Sequence, residues 1–107
     1  MESSHTALNI DAMRGAAAEA TALLFALANE NRLLLLCQLR TGEKSVSELE
    51  ELLDIHQPTL SQQLGVLRSE GLVNTRRDGK RIYYSVADER VLVLLGTMYE
   101  LFCPKEV

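Results

Sequence analysis

Ten polar side chains between Gln57 and Arg81 have the chemistry to hold and read a nucleic acid. Gln57, Thr59, Ser61, Gln62 and Gln63 can donate and accept hydrogen bonds, as base edges in a major groove require. Arg68, Arg76, Arg77, Lys80 and Arg81 can neutralise phosphates, which fixes register without reading sequence. Two sulfur nucleophiles, Cys37 and Cys103, lie 66 positions apart. The N-terminus has no basic segment followed by an apolar stretch, so a cytoplasmic, reducing location is expected. There, two cysteines are expected as thiols rather than as a permanent bridge. No glycine-rich phosphate loop, nucleophile–histidine spacing or singled-out carboxylate pair points to an enzyme, and no cofactor is expected.

Charge first argues against a polyanionic partner, because the net value is −4. Its distribution argues the other way. Residues 57–86 hold five basic and two acidic groups, +3, so the rest of the chain carries −7. Such a local patch can neutralise phosphates while the acidic body repels them. A solvated charged hairpin would show the same charges. With no Trp, two Phe and three Tyr, the chain is poorly equipped to stack single-stranded bases.

The elements that must position these groups follow from periodicity. The chain has 107 residues, 47% hydrophobic and 24% charged, which fits one globular domain over 1–107 and excludes a disordered chain. The first ten residues, including His5, read as a frayed, flexible segment. A first helix is expected from about Asp11 to Ala28, with Ala16, Ala20, Leu23 and Leu27 on one stripe. Asn29 can cap a second, Glu30 to about Arg40, stopped at Thr41-Gly42. Ser45 and Glu48 have capping-box spacing for a short third helix to Leu53. Pro58 suits the first turn of a fourth helix, which buries Leu60, Leu64 and Leu67 and ends near Gly71. Strand-like runs Leu72–Arg77 and Lys80–Val86 flank Asp78-Gly79, a hairpin signal in which both turn residues would take positive φ. Asp88 can cap a last helix to about Cys103, with Val91, Leu95, Met98 and Phe102 as its stripe and Leu92, Tyr99 and Cys103 widening it. Pro104 prevents continuation.

Four helices, a hairpin and a helix describe a winged helix-turn-helix: mainly α with a β-hairpin wing. For a lone helix, Gln62 and Gln63 would be read as merely facing solvent, but the basic hairpin beside it favours contact with double-stranded DNA. The first and last helices are apolar on more than one side, which predicts a homodimer interface built from them, or else a larger monomer core. The longest apolar run, Ala22 to Ala28, is too short to span a bilayer, so no membrane partner is expected.

The chain resembles the ArsR-type family of small bacterial transcriptional repressors from about Ala18 to Pro104. The resemblance is carried by Leu27–Cys37 (LANENRLLLLC), Gln57–Val73 (QPTLSQQLGVLRSEGLV) and the wing Arg76–Ser85 (RRDGKRIYYS). It implies a homodimer that occupies a palindromic operator and leaves when an inducer arrives. Metal-sensing members carry two cysteines on the third helix, where this chain has Ser45 and Ser47, and neutral hydroxyls are poor soft-metal ligands. Others use Asp and His on the last helix, but the only histidines are His5 and His56, so no metal site is expected. His56 reads as a surface or DNA-facing residue.

The cysteines resemble those of the persulfide- and sulfide-responsive branch. That likeness implies that Cys37 and Cys103 are the sensing thiols, joined by a disulfide or a longer chain such as a tetrasulfide, with persulfides as inducer and sulfide-detoxification genes as targets. The chemistry is sound on its own terms, since one thiolate can attack a persulfide sulfur and a second can resolve the product. Alternatives stay open. Cys37, inside Leu33–Leu36, would by itself read as a small core hydrophobe. A general oxidant could close a plain disulfide, and a non-DNA-binding dimeric module could use the basic hairpin to hold an acidic protein.

Overall fold

The computed structural model describes residues 9–104. Of the ten residues expected to be frayed, 1–8, with His5, lie outside the described residues. Asn9 and Ile10 begin a helix, because the Asn9 side chain accepts from the Asp11 amide (2.8 Å). This helix, α1, spans Ile10–Leu27. It is followed by α2 (Glu30–Arg40), a strand β1 (Lys44–Ser45), α3 (Val46–Leu53) and α4 (Thr59–Ser69). Strands β2 (Val73–Asp78) and β3 (Arg81–Val86) and helix α5 (Glu89–Phe102) complete the winged helix-turn-helix.

The expected caps are in place. Asn29 accepts from the Arg32 amide (3.0 Å), and Asp88 from that of Arg90 (2.9 Å). Ser45 and Glu48 form the full capping box of α3.

Two features of the sheet differ from expectation. β1 pairs antiparallel with β3, Lys44 opposite Tyr84 and Ser45 opposite Tyr83, giving the order β1-β3-β2. Two residues are too short to show a period-2 pattern. The wing turn also shifts by one position. Asp78 pairs with Arg81, so the turn is Gly79-Lys80, and only Gly79 takes positive φ (65°). That pattern matches a type II′ turn, which needs a glycine-like residue only at its first central position.

The core is one cluster. Leu35, Leu36 and Leu39 of α2 meet Leu49, Ile55, Leu60, Leu64, Leu67, Leu72, Val73, Val91 and Leu95. The α4 stripe is buried as its spacing predicts. The stripes of α1 and α5 reach the core only in part. On α1, Leu23, Ala26 and Leu27 are buried, while Ala16 and Ala20 are exposed. On α5, Val91 and Leu95 are buried, Met98 is half-buried and Phe102 is 79% exposed. The radius of gyration, 16.8 Å, exceeds that of a compact domain of this length, about 13 Å. Nine large hydrophobics on these two helices are left in solvent: Ile10, Met13, Leu24 and Phe25 on α1, and Leu92, Val93, Tyr99, Leu101 and Phe102 on α5. No single described helix is long and apolar enough to cross a membrane.

α1 and α2 turn by 94° where they meet. The corner is filled by Arg32, only 9% exposed. Its Nε donates to the Ala26 carbonyl (2.6 Å) and its Nη2 to that of Phe25 (3.2 Å). Its Nη1 donates to Oε1 of Gln63 on α4 (2.8 Å). α1 has no basic residue in its own last turn, so Arg32 supplies the positive charge that its C-terminus favours. At the other corner, His56 lies between Glu50 Oε2 (3.2 Å) and Asp54 Oδ1 (2.7 Å), and both carboxylates raise its pKa. Asp54 turns the chain there with φ of 55°.

Arg32→Met keeps the stem and removes all three donors. We expect a stability loss of about 2–3 kcal/mol, read as a lower urea midpoint at unchanged slope. His56, with its pKa raised in the fold, adds stability that is fully present below the ordinary histidine value of about 6.5 and is lost as pH rises through the raised value. The urea midpoint of the native chain should therefore fall, relative to that of His56→Gln, as pH rises from about 6 to about 9. Parallel curves would remove this role.

Candidate nucleic-acid interface and thiol pair

α4 is presented by an unusual start. Pro58 gives no side-chain cap, and the Gln57 side-chain oxygen accepts from the Ser61 amide instead (3.1 Å). Gln57 thereby caps the helix it was expected to extend as a DNA contact. Ser61, Gln62 and Arg68 are exposed along α4, and Thr59 is half-buried at its start. Gln63 is half-buried, and its oxygen is committed to Arg32.

Gln57, Ser61, Arg68, Lys80 and Arg81 converge on one cleft of about 600 Å³ between α3, α4 and the wing. Leu64 and Gly65 form its floor on α4, and Ser47 and Glu50 line the α3 side. Thr59, Gln62, Gln63, Arg76 and Arg77 are not among its lining residues. Among the described residues no side-chain hydrogen bond or salt bridge engages Arg68, Arg77, Lys80 or Arg81. Arg81 is near enough to help hold the Glu48 carboxyl below its ordinary pKa, after the larger effect of the Ser45 hydrogen bonds.

Arg76 has a different environment. Its Nε and Nη2 donate to the two carboxylate oxygens of Glu43 (2.9 and 2.7 Å), and its guanidinium stacks 4.6 Å from the Tyr83 ring centre. The paired hydrogen bonds hold the Glu43 carboxyl below the usual range. The bidentate pair ties β2 to the turn before β1. Arg76 thus offers phosphate a charge already shared with a carboxylate.

The thiols lie on the other side of α2. Cys37 is exposed rather than part of the core, although its helix neighbours Leu35 and Leu36 are buried. Cys103 follows α5, and its amide donates to the Tyr99 carbonyl (3.0 Å). Both are free and exposed. Partial desolvation raises the Cys37 pKa, Cys103 raises it further, and Arg40 lowers it. The packing of α2 against α5 brings Cys103 to the neighbourhood of Cys37 within one chain. The Arg40 guanidinium lies 5.7 Å from the Tyr99 ring centre.

Ser45 and Ser47, which stand where metal-sensing members have cysteines, are hydrogen-bonded to each other (3.2 Å), and Ser45 is buried as the α3 cap. Among the described residues no group of three or more His, Cys, Asp or Glu is placed to hold a metal ion. Arg32, Glu43 and Arg40 were not singled out from sequence. Each acts through a partner on another element, and spacing along one helix cannot show that.

Residues 29–75 match the family described as "Bacterial regulatory protein, arsR family". The chain is 50% identical over 97 residues to the biofilm growth-associated repressor of Agrobacterium fabrum, covering 91% of this chain and 83% of that protein. The crystal structure of the transcriptional repressor BigR from Xylella fastidiosa superposes with a TM-score of 0.83 at 44% identity, over 92% of this chain and 100% of that one. A homodimeric winged helix-turn-helix DNA-binding domain from Mycobacterium bovis gives 0.73 at 33% identity, over 85% and 84% of the two chains. These relatives are transcriptional regulators rather than enzymes, and with half of its aligned residues shared across nine-tenths of its length, this chain belongs to the ArsR family of bacterial regulatory proteins.

Proposed function

We propose that the chain is a cytoplasmic, dithiol-gated repressor that holds double-stranded operator DNA as a homodimer when reduced. It lets go when Cys37 and Cys103 are linked by persulfide-derived sulfur. The observation that carries this reading is that two exposed, free thiols stand on neighbouring, packed elements, one on α2 and one just past α5. The same α2 reaches α4 through the Arg32–Gln63 bond, so a strained α2 has a mechanical route to the DNA-reading helix.

Two further observations support the partners. The exposed apolar faces of α1 and α5 suit a second copy, and one structural relative is described as homodimeric. Arg68, Arg77, Lys80 and Arg81, whose side chains make no hydrogen bond or salt bridge among the described residues, lie on α4 and the wing as phosphate contacts would. Ser61 and Gln62, both exposed, and Thr59 would read bases, and Gln57 and Gln63 would contribute through their remaining amide hydrogens. The regulated genes follow from the inducer and would handle sulfide.

The redox step balances. One cysteine thiolate attacks the outer sulfur of a persulfide, RSSH, whose S–S bond breaks and whose RS⁻ leaves and takes up a proton. The second cysteine attacks the protein-bound sulfur of the resulting persulfide and expels hydrogen sulfide. The dithiol loses two electrons and the outer sulfur gains them. A tetrasulfide consumes three persulfides and releases three thiols and one hydrogen sulfide.

A second reading keeps the repressor and replaces the inducer by a general oxidant that forms a plain disulfide; both cysteines would serve it equally. Intact mass after treatment with a persulfide donor separates the two, because added sulfur between the cysteines requires the first.

Cys37→Ser should bind operator fragments as the native chain does and keep binding after persulfide treatment; normal release by this variant in a gel-shift series would defeat the gating. Arg77→Ala should weaken binding alike across sequences and reduce the slope of log affinity against log salt by about one. Gln62→Ala should instead relax base choice at one position, at a cost of about 1–3 kcal/mol. A uniform loss across sequences would remove Gln62 from base readout.

A further inference from the structure

The thiol pair has a charged neighbour that the gating chemistry does not require. Arg40 follows Cys37 by three residues, so both leave the same face of α2. That face meets Gly96 and Tyr99 of α5, with Cys103 just past the helix end, the three spaced by three and four. The Arg40 guanidinium sits over the Tyr99 ring at 5.7 Å, and the Tyr99 carbonyl receives the Cys103 amide at 3.0 Å. A Cβ built at Gly96 would lie 3.5 Å from Arg40 Nη2, an ordinary contact distance, so the guanidinium lies against α5 at this position. Among the described residues no hydrogen bond or salt bridge takes up this charge. It is felt at the sulfur: Arg40 lowers the Cys37 pKa against partial desolvation and Cys103, which raise it.

We propose that Arg40, held between Cys37 and the Tyr99–Cys103 turn, gives the thiol pair a preference for persulfides carried on anionic thiols. The inference rests on the persulfide reading above. Attack by a cysteine thiolate on an anionic persulfide brings two negative charges together as the new S–S bond forms and the old one breaks. A permanently charged guanidinium beside Cys37 offsets that repulsion and raises the local concentration of the anion. A cationic persulfide gains nothing from it. Arg40 is therefore a positioning and selecting residue, with no bond made or broken at its own atoms.

The test compares the full-length reduced protein with Arg40→Gln and Arg40→Lys. Each is mixed with glutathione persulfide, whose carrier thiol is anionic, or cysteamine persulfide, whose carrier thiol is cationic, and sulfur addition is followed by rapid-quench intact mass. We expect the anionic-to-cationic rate ratio to fall about tenfold in Arg40→Gln and to be largely kept in Arg40→Lys. The native ratio should also decline as salt is raised, while that of Arg40→Gln stays flat. Thermal melting identifies a variant that fails to fold, in which case Arg40→Met, which keeps the packed stem, takes its place. An unchanged ratio in the uncharged variant, with sulfur still added, overturns this role and leaves persulfide gating intact. If neither persulfide adds sulfur to the native dithiol while the neutral oxidant diamide closes it, the gating reading falls, and this inference with it.

Discussion

A buried guanidinium must find acceptors for its donors, and Arg32 finds three of them on two other elements. Two are carbonyls at the end of α1, and the third is the side chain of Gln63 on α4. Because an unpaired buried charge costs several kcal/mol, these bonds hold as a set or fail together. The 94° corner between α1 and α2 and the seating of α4 are thereby one constraint rather than two. Packing alone would leave α4 free to slide on its leucine stripe. The Arg32 bond adds a direction to that contact, and it does so from the helix that also carries Cys37.

The same economy governs the wing. The chain is acidic overall, and its basic residues are divided between two tasks. Arg76 is spent on Glu43 and Tyr83, which fixes where the hairpin stands. Arg68, Lys80 and Arg81 then face one cleft with Gln57 and Ser61. An all-cationic wing would repel itself; one internal ion pair lets the remaining charges be held close together. At the α3–α4 corner, His56 and its two carboxylates serve a similar end with the opposite sign of charge in excess.

What the sequence displayed were features whose partners lie within one element or one turn. The α4 stripe, the Asn29, Asp88 and Ser45 caps and the hairpin all rest on residues no more than a few positions apart. The two-residue strand β1 escaped because its signal is its partner, β3, some forty positions on. Gln63 and Arg76 read as DNA contacts because both are polar and well placed in the pattern. Their partners, Arg32 and Glu43, stand 31 and 33 residues away. The wing turn moved by one residue because Asp-Gly satisfies a type I′ turn on paper, whereas the strand register is set by Val73 opposite Val86 and the pairs that follow. Cys37 lay in a leucine-rich run that looked wholly internal. Helix geometry turned it outward, since Leu35, Leu36 and Leu39 already fill the inner face.

α1 carries 18 residues, of which three, all near its C-terminal end, are buried in the chain's own core. A helix takes most of its stability from the surface it packs on rather than from propensity. Fixing α1 over its whole length therefore calls for a surface outside the chain's own core. Under the proposed homodimer a second copy is that surface, so the order of the arm that precedes the Arg32 corner would follow protein concentration while that of the core would not.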